Sequence, residues 1–356
     1  MAQMQATVLP RFGNPAVFVC EQVTRPEPAA DQFLVRVSAC GLCGHDLLTR
    51  QGAFPHTRLP AVIGHEISGV VEETGTLITR FKRGDRVALN QRQSCGVCQP
   101  CREGRSNVCR AGYGFYGEDL SGGYGDYVVA SERNAVHLPD SIDFVTGAVL
   151  SCAVGTGFHA LGRARVAPGD AVLITGAGGG VGLHAVQLAR TMGCYVIALT
   201  SSESKAARIR AAGADDVIVS SDMQFHGAVK DLTAGLGVAA VIEVTGTPTF
   251  ASSLRSLRPG GRLVVVGNVQ PGTVPFNPAL GILKEIEIVG SSHATLDDLM
   301  QVTDLVARGR ITPEIAAVFG MADAARGHAL METKDTIGRV VLRASTTSGL
   351  AGLSSS

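Results

Sequence analysis

The stretch Ala171–Arg190, AVLITGAGGGVGLHAVQLAR, constrains this chain more than any other. Val172, Leu173, Ile174 and Thr175 are apolar or β-branched and read as a short buried strand. Gly176, Gly178, Gly179, Gly180 and Gly182 follow, and then Val181, Ala185, Leu188 and Ala189 recur at helical spacing. A strand that passes through a glycine turn into a helix is the setting a dinucleotide fingerprint needs. Glycine lets the backbone approach a pyrophosphate and lets the helix pack on the strand. The free N–H groups at the helix start then hold the phosphate charge. The spacing Gly176-x-x-Gly179-x-x-Gly182 is one residue longer than G-x-G-x-x-G. A glycine turn alone also serves tight connections, so the flanks decide.

Downstream the texture alternates. Strand YVIALT leads to helix ESKAARIRAAGA, DVIV to FHGAVKDLTA, and AAVIEVTG to TFASSLRSL, with RLVVVGNV and EIEIVGSS as further strands. That alternation predicts a doubly wound parallel sheet. Upstream, QATVLP, VFVCEQV, FLVRVSAC, EISGVVEETG and FKRGDRVAL are short strands broken by Gly and Pro turns, which predicts a barrel-like all-β first domain. A length of 356 residues suits about two such domains. From about His293 a helix over 296–307 and a strand RVVLR suggest a return to the first domain.

Lys+Arg and Asp+Glu balance at 31 each, which argues against nucleic acid and anionic membranes as partners. No apolar run is long enough to span a bilayer, and the start MAQMQATVLPRF is not a signal peptide, so a cytoplasmic protein is expected. The tail from Ala344 to Ser356 is low in complexity and is expected to fray.

Nine cysteines without a secretory context point to metal. Cys95, Cys98, Cys101 and Cys109 give C-x2-C-x2-C-x7-C within fifteen residues. Four thiolates on a turn-rich loop converge on a zinc at about 2.3 Å and leave no open position, so the site is expected to be structural. Two local disulfides and an iron–sulfur cluster are the alternatives. Cys20 and Cys194 belong to no motif and read as packing residues.

Taken together, Gly64-His65-Glu66, the lobe Cys95–Cys109 and Cys152 before the glycine fingerprint resemble a zinc-dependent medium-chain dehydrogenase/reductase. The resemblance spans roughly residues 5–343, and stretches such as TGAGGGVGLHAVQLA and GILKEIEIVGSSHAT are similar to acryloyl-CoA reductase-like members. It implies an α/β chain: a GroES-like β-barrel catalytic domain over 1–152 with the zinc lobe at 91–113, and a Rossmann coenzyme domain over 153–292. A return to the catalytic domain over 293–343 and a flexible tail at 344–356 complete the division. It also implies a catalytic zinc on Cys43, His65 and Cys152, with Glu66 adjacent or alternating, and so two zincs per chain. Cys40 is the alternative to Cys43. Three protein ligands leave a position for a substrate oxygen, and zinc there polarises a carbonyl.

Relatives that oxidise alcohols carry a Ser or Thr relay two positions after the zinc cysteine. Here that place is His45, which either transfers the proton itself, only fills space or binds a different substrate group, and Leu48 stands where a second relay histidine is common. The glycine loop, with Gly176, Gly179, Gly180, Val181 and Gly182, cradles the pyrophosphate, and Arg339 matches a family pyrophosphate contact. Thr156, Gly267 and Asn268 match positions near the nicotinamide. An NAD site ends its second strand in an acid that binds the ribose 2′-OH. Here Thr200, Ser201 and Ser202 stand there, with Lys205 and Arg208 near, so NADP(H) is expected ahead of NAD(H). Glu203, one turn late, and solvated Lys205 and Arg208 are the opposing reading.

The expected activity is an NADP(H)-linked alcohol dehydrogenase or aldehyde reductase acting on a small alcohol, aldehyde or enone. The alternative is reduction of an activated C=C bond in an enone, enal or acryloyl/enoyl-CoA; Arg92 beside Gln91 would favour an acid or a CoA ester, although an exposed arginine accounts for it more simply. A non-catalytic NADPH-binding protein is a minor third reading. The apolar segment 282–291 resembles a strand that extends the sheet across a dimer, so a homodimer or homotetramer is expected.

Overall fold

A computed structural model describes residues 2–54, 57–112, 114–270 and 272–344. Gln32–Leu42 is the spine of the first sheet. It pairs with Glu66–Thr74, Tyr127–Ser131 and Arg339–Arg343, and the path through it runs from Ile315–Gly320 to Ala135–His137. Phe33, Val35, Val37, Cys40 and Leu42 pack inward with Ile67, Val71, Val87 and Leu342. The alternating pattern seen in the sequence is therefore a barrel-like wall with one face in the core. The last two strands among the described residues, Ile315–Gly320 and Arg339–Arg343, complete this sheet.

The second sheet has six parallel strands in the order Asp216–Val219, Tyr195–Thr200, Ala171–Ile174, Val238–Glu243, Leu257–Val265, Glu287–Gly290. Both faces are buried. Val172, Ile174, Val196 and Ile242 pack on one side, and Leu173, Ile197, Leu199 and Val241 on the other. This explains why its central strands read as continuous apolar runs. Strand order reverses on either side of Ala171–Ile174, and such a switch point opens a crevice at the carboxyl ends of the strands. The glycine loop lies there. A helical run over 144–164 carries the chain from the first sheet to the second, with a wider turn at Leu150–Val154.

Two expectations are corrected. The segment 282–291 is not all strand: Asn277 caps and Pro278 starts a helix Pro278–Lys284, which takes Ile282, Leu283 and Lys284 and leaves Glu287–Gly290 as the strand. Cys20 is exposed rather than packed, because its strand Val19–Thr24 belongs to a two-stranded ribbon and is open to solvent along most of its length. Among the described residues no helix is long and apolar enough to cross a membrane. The expected frayed tail lies, from residue 345, outside the described residues.

Candidate metal centres and coenzyme cleft

Cys43 follows the strand Gln32–Leu42 and caps the helix Gly44–Gln51. Asp46 accepts the Cys43 N–H at 2.8 Å, and its other oxygen stands 3.2 Å from His65 Nδ1. A carboxylate behind an imidazole is the arrangement that orients a metal-bound histidine. His65 and Glu66 arrive at the start of the neighbouring strand, where Glu66 lies opposite Gly41. A Cβ at Gly41 would come within 2.2 Å of the Glu66 carboxylate, so glycine is needed there. Cys152 enters from the turn Leu150–Val154. The structure thus brings Cys43, His65, Glu66 and Cys152 together, with ligand atoms all within 4.8 Å of one another. Cys40 is not among them.

The donor set fits zinc. Cys43 Sγ and Cys152 Sγ are 3.8 Å apart. A tetrahedral zinc with Zn–S near 2.3 Å places its sulfurs about 3.8 Å apart. Burial pushes the Glu66 carboxyl up to about 7, against the pull of Arg339. Arg339 Nη2 is 2.9 Å from Glu66 Oε1 and also approaches Cys152 Sγ at 3.8 Å.

The lobe cysteines Cys95, Cys98, Cys101 and Cys109 form the other group of convergent ligands. Their sulfurs lie 3.4 to 4.0 Å apart, the spacing of a shared tetrahedral ion and far beyond a disulfide bond. The Val97 and Cys98 N–H groups donate to Cys95 Sγ and hold its thiol down at about 6, which favours the thiolate a metal needs.

In the crevice, the helix Gly180–Thr191 starts from the glycine loop. A Cβ at Gly182 would meet Gly176 O at 2.3 Å, so the helix packs against the turn only with glycine. Val181 follows Gly180 in the first turn, and Gly179 stands at the cap. Arg339 lies against Gly180 and so joins the glycine loop to Glu66 and Cys152. Thr156 is buried, with its hydroxyl 4.0 Å from Cys152 Sγ. Gly267 and Asn268 stand beside the adjacent strand end, where Asn268 Oδ1 accepts from Thr247 Oγ1 at 3.1 Å.

Thr200 ends the second strand. Its hydroxyl accepts the Ser202 N–H at 3.2 Å, and Ser202 and Ser204 hydroxyls are 2.7 Å apart, with Ser201 exposed. Lys205 crosses Gly178 and donates to the carbonyls of Lys334 and Thr336, while Arg208 pairs with Glu314.

Two family models match. The alcohol dehydrogenase GroES-like domain covers residues 29–140, and the zinc-binding dehydrogenase covers 180–308. An acryloyl-coenzyme A reductase of Metallosphaera sedula is 36% identical over 93% of this chain and 97% of its own. The chain belongs to the zinc-type medium-chain dehydrogenases/reductases. An NAD-dependent alcohol dehydrogenase of Saccharolobus solfataricus is 30% identical to this dehydrogenase/reductase over 95% of the chain and 99% of its own. The solved structure of a protein called AibC superposes with a TM-score of 0.91 at 42% identity, covering 96% of both chains.

Sequence reasoning missed several neighbours in this dehydrogenase/reductase. His45 Nε2 is 2.5 Å from Glu118 Oε1, and this bond holds the Glu118 carboxyl below its usual range. Phe54 stacks on His45 with ring centroids 4.4 Å apart. Phe115 packs on His65 at 5.0 Å, on His45 at 5.4 Å and on His293 at 4.9 Å. Burial drives His293 down to about 3, so it stays neutral. Asp46 alone carried a signal, its place inside the Cys43-Gly44-His45-Asp46 string. Glu118, Phe115 and His293 come from distant segments, and Phe54, which follows His45 closely in the chain, belongs to no motif.

Proposed function

We propose that this protein reduces the activated C=C bond of an α,β-unsaturated coenzyme A thioester, with NADPH as donor and zinc at the Cys43, His65, Glu66 and Cys152 cluster. The observation that carries this reading is Arg92. Its guanidinium lies over Phe115 at 5.7 Å, and Phe115 packs on His65 and His45. Among the described residues it pairs with no carboxylate. A simple alcohol or aldehyde gives such a charge nothing to bind, whereas a polyanionic thioester does. The similarity to proteins named acryloyl-coenzyme A reductase, 36% and 35% identical, supports the same choice. It reverses the order of the two readings taken from the sequence. The aldehyde reading keeps support from the complete ligand set, which suits carbonyl polarisation, and from relatives named alcohol dehydrogenase.

When bound, zinc would supply a Lewis acid for a carbonyl oxygen and NADPH the hydride. The proposed reduction would add that hydride at the β carbon and one proton at the α carbon. His45 is assigned that proton. With Nε2–H donating to Glu118, Nδ1 is the position for a second, transferable proton. Phe54 and Phe115 pack on the imidazole, which stays 27% exposed and so can exchange protons with solvent. Asp46 orients His65, and Arg339 positions Glu66 against the glycine loop.

The hydroxyls of Thr200, Ser201 and Ser202 support NADPH, while the Lys205 ammonium is held by the Lys334 and Thr336 carbonyls. Arg208 is committed to Glu314 and is left out of the site. We assign the exposed edge at Glu287–Gly290 to a homodimer contact and the cell compartment to the cytoplasm.

The direct assay is NADPH oxidation with crotonyl-CoA against cinnamaldehyde. The expected outcome is kcat/KM at least about a hundredfold higher for the thioester, since the aldehyde leaves the cationic wall unused. Equal or higher kcat/KM with cinnamaldehyde and an alcohol product would return the aldehyde reading to first place. For the coenzyme, Thr200→Asp should lower the NADPH-to-NADH ratio of kcat/KM by about tenfold or more through carboxylate–phosphate repulsion. An unchanged ratio would reject the assignment of that strand end.

A further inference from the structure

A cavity of about 580 Å³ lies between the four-cysteine lobe and the segment after the second sheet. Arg92, Asn107, Arg110, Asp119, Ser292 and His293 stand on its wall. The two arginines flank the lobe: Arg92 comes three residues before Cys95, and Arg110 directly follows Cys109. Neither guanidinium pairs with a carboxylate among the described residues, unlike Arg25, Arg50, Arg86 and Arg262. Asp119 is already engaged, its carboxylate accepting the Phe115 N–H at 3.0 Å. Asn107 ties the lobe to the opposite wall, donating to Ser292 O at 2.6 Å.

His293, on the cavity wall, packs on Phe115, and Phe115 in turn packs on His65 of the metal-ligand cluster. His293 holds a left-handed backbone, φ 51°, which is uncommon for a residue with a Cβ and marks a constrained site.

We propose that this cavity is the subsite for the phosphorylated end of the coenzyme A thioester, with Arg92 and Arg110 as its phosphate-binding cations. The proposal rests on the thioester reading above and adds the place where the non-reacting part is held. The pantetheine arm would run along Arg92 and His293, the wall residues that pack on Phe115, to set the acyl carbonyl at the cluster. Binding energy gained far from the reacting atoms would then position the double bond. The four-cysteine lobe acquires a second role, since a metal held by Cys109 would fix its neighbour Arg110 at the wall.

The test is calorimetric titration of free coenzyme A into the two-zinc holoenzyme saturated with NADP+. Saturation matters because coenzyme A carries a phosphorylated adenosine that the nucleotide site would also accept. The expected result is binding in the presence of NADP+, weakened at least about tenfold in both Arg110→Ala and Arg92→Ala and less in Arg110→Lys. In turnover, Arg110→Ala should raise KM for crotonyl-CoA at least about fivefold more than KM for crotonyl-N-acetylcysteamine, which lacks the phosphates.

Loss of coenzyme A binding when NADP+ is present would overturn the subsite, as would equal affinity in wild type and both alanine variants. Competition by inorganic phosphate as strong as that by coenzyme A would overturn it in favour of a simple anion site. Binding that behaves as expected without reduction of either thioester would instead overturn the proposed reaction and leave the subsite standing.

Discussion

Cys40 lies on the strand Gln32–Leu42 opposite Ile67 and Leu342, and its thiol turns into the core against Gly64 and Gly123. Cys43 is three residues on, past the strand end, where the chain turns into a helix and the thiol is released toward His65 and Cys152. Sequence spacing left both as candidates, because which of them leaves the sheet depends on the register with two other strands. The glycine positions and the lobe cysteines were legible for the opposite reason. Their chemistry is local, needing only a tight turn or a short chelate loop. Glu118 and His293 were not, since each reaches its neighbours through folding of distant segments. At this scale Cys43→Ala should reduce bound zinc from the two ions implied by the two clusters to one. Activity should fall by about a hundredfold or more with loss of the Lewis acid. Metal analysis checks this, and two zincs retained in the variant would contradict the ligand assignment.

Among the elements, the glycine-loop helix was the most legible, because strand, turn and helix are continuous in sequence. The edge of the second sheet was the least. Asn277 and Pro278 form a helix start whose local capping outweighs the apolar character of Ile282 and Leu283. The outcome is a short helix with Ile282 74% and Leu283 83% exposed, next to the edge strand Glu287–Gly290, which pairs on one side with Leu257–Val265. An apolar edge in this state invites pairing with a second copy. Light scattering at micromolar concentration should therefore report a dimer or larger, and Ile288→Lys should shift it toward the monomer. Wild-type protein that scatters as a monomer would contradict the dimer assignment.

For the whole molecule, the chain's return to the first sheet has a chemical consequence. It delivers Arg339 from the strand Arg339–Arg343 to a point that touches Gly180, Glu66 and Cys152 at once. His184 supports the same junction by accepting the Glu314 N–H at 2.9 Å, and burial keeps it neutral, down at about 4. Coenzyme cleft and metal-ligand cluster are thus held by one set of contacts. The sequence resemblance placed Arg339 at the pyrophosphate but not against Glu66 and Cys152, since those contacts join residues more than a hundred positions apart.

The central claim is that hydride leaves NADPH for the β carbon of an unsaturated thioester, with the proton at the α carbon taken from His45. Turnover of crotonyl-CoA with NADPH deuterated at the transferred position tests it most directly. Deuterium found by mass spectrometry and NMR at the β carbon of butyryl-CoA, with solvent hydrogen at the α carbon, is the predicted result. Deuterium at the carbonyl carbon of an aldehyde or alcohol product would contradict it and make this protein a carbonyl reductase.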